Sequence, residues 1–183
     1  MSEAMLSEPE PMPVELEILL AQLGECDTLD YFPLHLDISH GAQDPDDMVL
    51  RSLMELQHVG LSPQDCIIHS TSWRFESTPR LVLTYLVYTD HPGFPRGQAR
   101  RVDLRQLDLA SNPDPARPRP TEIREEQVVA HGLRHLSFLI QTGQLKNSGR
   151  LLPGSLDTFQ ALTGVLAGRF TSSEIPSTTG VLL

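Results

Sequence analysis

The period of apolar positions changes several times along the chain, and each change marks an element. Over 14–23, Leu16, Leu19, Leu20 and Leu23 recur at intervals of three and four, Pro13 stands where a helix accepts proline, and Gly24 stands where one ends. That spacing predicts a helix. The same residues spell LxxLL, a pattern some partner-docking helices use, but a stripe of this kind is read first as core-facing. From 31 to 39 the period shortens to two: Leu34, Leu36 and Ile38 fall on one side and His35 and Asp37 on the other, as in a half-buried strand. A helix is expected next over 44–59, with Asp44 as N-cap, Pro45 at the first position, acids in the first turn, Val49, Leu53 and Leu56 inward, and Gly60 as the stop.

Two β-rich runs, 66–76 and 81–89, are separated by Ser77, Thr78, Pro79 and Arg80 and predict an antiparallel hairpin. Strict alternation in the first run puts His69, Thr71, Trp73 and Phe75 on one face and Ser70, Ser72 and Arg74 on the other. In the second run Leu81, Leu83, Tyr85 and Val87 oppose Val82, Thr84, Leu86 and Tyr88. Both faces of that strand are rich in apolar residues, which places it inside the sheet with cover on both sides. The stretch 91–96 is a Pro/Gly turn, 99–109 fits neither period cleanly, and 111–120, with four prolines, is a loop. Thr121 introduces a long helix over 122–141, and a last helix runs over 155–170 with Phe159, Leu162 and Leu166 inward. The order predicts a single α+β domain over 14–170: a mainly antiparallel sheet of three or four strands, mixed if the strand–helix–strand connection is a parallel crossover, packed by three to four helices. Residues 1–13, acidic and proline-bearing, are expected as a flexible arm, and 171–183, without periodicity, as a flexible tail.

Composition narrows the class. The 183 residues, 39% hydrophobic and 21% charged, are those of an ordinary globular protein. No run approaches the roughly 20 apolar residues that span a bilayer, and the acidic start lacks the basic and then apolar character of an export signal. A soluble cytoplasmic protein is the expectation, without a membrane partner. Cys26 and Cys66 have neither metal-ligand spacing nor a disulfide framework around them and are read as reduced and structural. Net charge is −10 and unevenly spread: residues 1–65 hold fourteen acids against Arg51 alone, so nucleic acid is not an expected partner. The run Arg96, Arg100, Arg101, Arg105 is expected to pair with the protein's own acidic first half.

Candidate chemistry is sparse. On the long helix Val129, Leu133, Leu136 and Ile140 share one side, and Arg124, His131, His135 and Phe138 the other. His131 and His135 have the i, i+4 spacing with which helix histidines share a metal, but the glutamate that a zinc protease places after its first histidine is replaced by Gly132, which excludes HExxH. The strand around His69, Thr71 and Trp73 is unusually polar and either faces water or lines a pocket. Trp73 is expected in the core, with the wall of a small-molecule cleft as the alternative. Neither a nucleophile elbow nor a phosphate-binding glycine loop is present, and no cofactor is assigned.

Two functions from different classes follow. One is a non-catalytic module binding a partner or small ligand through His69, Thr71, Trp73, Arg124, His131 and His135, which requires a groove between hairpin and helix. The other is a metal-dependent or His-assisted enzyme using His131, His135 and His69, which requires imidazole nitrogens within about 5 Å of one another.

Overall fold

The computed structural model describes residues 12–25, 27–39, 43–56, 60–76, 79–114, 116–117, 119–145 and 150–162. They build one five-stranded mixed sheet and three helices. The strands are β1 (Val14–Leu23), β2 (Thr28–Asp37), β3 (Cys66–Phe75), β4 (Leu81–Thr89) and β5 (Arg100–Asp103), in the spatial order β3-β4-β1-β2-β5. The helices are α1 (Pro45–Glu55), α2 (Glu125–Gln141) and α3 (Pro153–Ala161). β1 runs antiparallel to β2 and parallel to β4, so the mixed character arises between β1 and β4 and not across the α1 connection, whose strands are not neighbours.

The first element is a correction. Residues 14–23 form a strand, not a helix, and it lies at the centre of the sheet. Leu16, Ile18 and Leu20 enter the core beneath α1, while Leu19 and Ala21 enter the core beneath α2 and α3. A strand covered on both faces is apolar at consecutive positions, and such a run contains intervals of three and four by necessity. The LxxLL letters are therefore buried strand residues. Gly24 caps no helix; it opens the β1–β2 turn, where its N–H donates to Thr28 O at 2.9 Å and an added Cβ would lie 2.4 Å from Thr28 Oγ1.

Other expectations hold with shifted ends. β2 begins at Thr28, ahead of the alternating stretch, and buries Leu29 and Tyr31. α1 starts where Asp44 and Pro45 place it, with Asp44 Oδ1 accepting from Asp46 N at 2.8 Å. Gly60, at φ 86°, ends that connection, and residues 57–59 lie outside the described residues. The hairpin stands, and β4 is interior as its two apolar faces require. The ambiguous 99–109 stretch is the short strand β5 followed by a 3-10 turn at Leu104–Gln106. α2 starts at Glu125, three residues later than expected, because Gln127 Oε1 accepts from Arg124 N and fixes the first turn there. α3 starts at Pro153; its N-terminal amide at Leu152 is held by Asp90 Oδ2 at 2.7 Å, and Ser155, the expected start, donates its hydroxyl to Asp90 Oδ1. The arm over 1–11, Cys26, the helix beyond 162 and the tail lie outside the described residues. Among the described residues no helix is long and apolar enough to cross a membrane.

Candidate ligand-binding cleft

β3 is an edge strand, and one irregularity decides what it presents. Its pairing with β4 shifts register between Ser70 and Ser72, so Thr71 is the extra residue of a bulge. A bulge moves the alternation by one. His69 opposite Leu86, Ser72 opposite Thr84 and Arg74 opposite Val82 therefore lie toward α2, whereas Ser70, Trp73 and Phe75 pair with Tyr85, Leu83 and Leu81 on the α1 side. The expected face shared by His69, Thr71, Trp73 and Phe75 does not exist. Nor is Trp73 a core residue: it is 65% exposed and meets Phe75, itself 42% exposed, edge to face at 5.7 Å between ring centroids.

The His131 and His135 side of α2 is covered by the edge strand. α2 lays His131 and His135 against β3, where His69 Nε2 lies 3.2 Å from His135 Nδ1 and the His131 and His135 rings are 6.3 Å apart. Burial lowers the pKa of all three below the ordinary 6.5; His69 and His135 are lowered further by the neighbouring imidazole, and a hydrogen bond to the Thr71 backbone only partly offsets the effect at His131. Neutral imidazoles of this kind pair through one N–H. Among the described residues no three His, Cys, Asp or Glu side chains converge as metal ligands. Arg124 is not part of this group: its guanidinium reaches Asp108 at 3.2 Å and lines a separate depression with Arg101 and Glu126.

Beyond His131 the packing opens. An inner cleft of about 220 Å³ lies between Ser72, Trp73 and Arg74 of β3, the chain at Leu109, Ala110, Pro120 and Ile123, and Gln127, Val128 and His131 of α2. It is mostly apolar. An outer cleft of about 580 Å³ shares Arg74, Pro120 and Ile123 with it and continues past Phe75 and Glu76 to Asn112, Arg117, Arg119 and Thr121. The two form one groove along the edge strand. Arg119 donates to Phe75 O, and Arg150 Nη1 lies 3.5 Å from Cys66 O, so arginines stand at both ends of β3's open edge.

The groove floor is fixed by a buried ion pair. Glu17 of β1, 2% exposed, accepts two bonds from Arg74, at 2.7 and 3.0 Å, and one from the Thr84 hydroxyl at 2.8 Å. Arg80 joins Glu15 to Glu76 beside it. Of the arginine run 96–105, Arg101 pairs with Asp30 of the acidic first half, whereas Arg100 pairs with Glu125, Arg105 with Asp103, and Arg96 with the Gln22 amide. Cys66 is buried and free, with its thiol pushed up to about 11 by burial, in keeping with a structural role.

His69, His131 and His135 are thus brought together, His131 and Trp73 reach the inner cleft, Thr71 shapes the strand, and Arg124 stands apart. Pro120, Ile123, Arg117 and Arg119, which line the groove opposite β3, were not singled out in the sequence, where the proline-rich loop gave no sign that it folds back on that strand. No protein-family model and no curated protein matches the chain.

Proposed function

We propose that this protein is a non-catalytic binding module whose groove along β3 takes an extended, acidic and partly apolar peptide segment of a partner. The observation that supports it is the continuity of the two clefts through Arg74, Pro120 and Ile123 beside a strand edge that pairs with no other strand among the described residues. An elongated, open groove beside a sheet edge suits an extended chain, whose backbone gains hydrogen bonds from the edge while alternate side chains enter pockets. The apolar inner cleft favours a leucine-sized side chain, and Arg117 and Arg119 favour carboxylates at the outer end.

Trp73 is the only tryptophan and stands on the edge strand that walls the inner cleft, so its emission reports a segment added along that edge. Titration with an acetylated Glu-Leu-Glu-Leu-Glu-Leu peptide is expected to shift Trp73 emission saturably, the Lys-Leu counterpart to leave it unchanged, and Ile123→Glu to abolish the response. Equal responses to both peptides, or none, would refute the reading.

The 3.2 Å contact of His69 and His135 supports a second reading, a metal-assisted enzyme, since two imidazoles sharing a zinc ion at about 2.0 to 2.1 Å lie at a similar separation. It requires near-stoichiometric metal in the purified, untagged protein, lost in a His131→Ala, His135→Ala variant; metal-free protein would end it.

A further inference from the structure

Resting on the groove reading, we propose that residues 1–11 of the chain itself dock in the outer cleft and compete in cis with the partner segment. The argument begins where β1 begins. Pro13 O accepts from Leu81 N at 3.0 Å, Val14 pairs with Leu81, and Leu81 pairs in turn with Phe75, which lines the outer cleft. Two strand spacings, roughly 10 Å, therefore separate the start of β1 from the cleft wall. Eleven residues reach about 36 Å when extended, so the preceding segment spans the cleft without strain.

Its chemistry is what the cleft asks for. Residues 1–11 carry Glu3, Glu8 and Glu10 and no basic side chain, together with Met5 and Leu6. Arg117 and Arg119 face the outer cleft, and both are exposed. Ahead of Pro13 stand Pro9 and Pro11, which fix backbone angles suited to an extended course and reduce the entropy lost on docking. Tethering two strand spacings away supplies an effective concentration in the millimolar range. A segment of weak intrinsic affinity is then sufficient to occupy the groove and to set a threshold for any partner.

The experiment compares the full chain with a chain lacking residues 1–11, each titrated with the Glu-Leu peptide and followed by Trp73 fluorescence. The truncated chain is expected to bind at least about twofold more tightly, a synthetic peptide of residues 1–12 to bind the truncated chain in the millimolar range, and Arg117→Glu with Arg119→Glu to remove both effects while the circular dichroism spectrum is retained. If the two chains bind the Glu-Leu peptide equally, or the 1–12 peptide fails to bind at several millimolar, the cis occupant is wrong and the groove reading stands. If neither chain binds the Glu-Leu peptide, both fall together.

Discussion

Glu17 shows how single side chains settle this molecule. A carboxylate this deep in the sheet is tolerable because Arg74 and Thr84 supply three hydrogen bonds and a counter-charge from β3 and β4. Breaking such a pair leaves an uncompensated buried charge, whereas replacing both members costs far less. Arg74→Met is therefore expected to destabilise the fold by about 3 kcal/mol, and Glu17→Gln combined with Arg74→Met by less than the single change, read as urea midpoints. If the single variant is the more stable of the two, Glu17 does not depend on Arg74. The pair was not legible in the sequence, because Glu17 sat in a presumed helix and Arg74 on the wrong face. That second error has a specific origin: one extra residue at Thr71 inverts every inward and outward assignment after it, and a bulge leaves no mark in an alternation made largely of Ser, Thr and His.

Among the elements, α2 was the most legible and its surroundings the least. The stripe of Val129, Leu133 and Leu136 is buried as its period required, yet the opposite side also packs, meeting β3 through His131 and His135. Periodicity identifies the apolar face of a helix but cannot show that a half-polar strand covers the other. Gly132 makes the contact with the sheet close: an added Cβ would lie 3.4 Å from Leu86 Cβ. Gly132→Ala is expected to change stability by less than about 1 kcal/mol, helix propensity offsetting crowding. Gly132→Glu, which restores the HExxH spelling, is expected to lose more than about 3 kcal/mol and to bind no zinc, since the new carboxylate is forced against Leu86. Thermal melts with and without zinc check both. The same interface sets a pH response. His69, His131 and His135 have pKa values lowered by burial, so below 6.5 the unfolded chain binds more protons than the folded one. Their contribution is complete above about pH 6.5 and is lost as the pH falls through and below that value. The urea midpoint is expected to drop between pH 7 and pH 5, and to drop less in a His69→Gln, His135→Gln variant. Parallel pH dependence in the two proteins would overturn the assignment.

At the scale of the whole molecule, the uneven charge of the sequence is resolved by sheet topology. Strands from the acidic first half, β1 and β2, are enclosed by strands from the more basic second half, and the pairs Glu17–Arg74, Glu15–Arg80 and Asp30–Arg101 tie them across the ladder. Pairing within the chain was foreseeable from the charge pattern; the arginines that do most of it were not, because they lie on the hairpin and not in the 96–105 run. The same topology orders local stability. β1 is hydrogen-bonded along most of its length to β2 on one side and β4 on the other, and both its faces are buried, whereas among the described residues β5 pairs with β2 alone, from Thr28↔Asp103 to Tyr31↔Arg100, and exposes Arg100 and Arg101. Strands enclosed on all sides open only with the global transition, and short edge strands open without it. Amide exchange monitored by NMR is expected to be slowest in β1 and β4, and at least about a hundredfold faster in β5. Equal protection in β5 and β1 would mean that the sheet opens as a single unit, and β5 would then belong to the cooperative core despite its length.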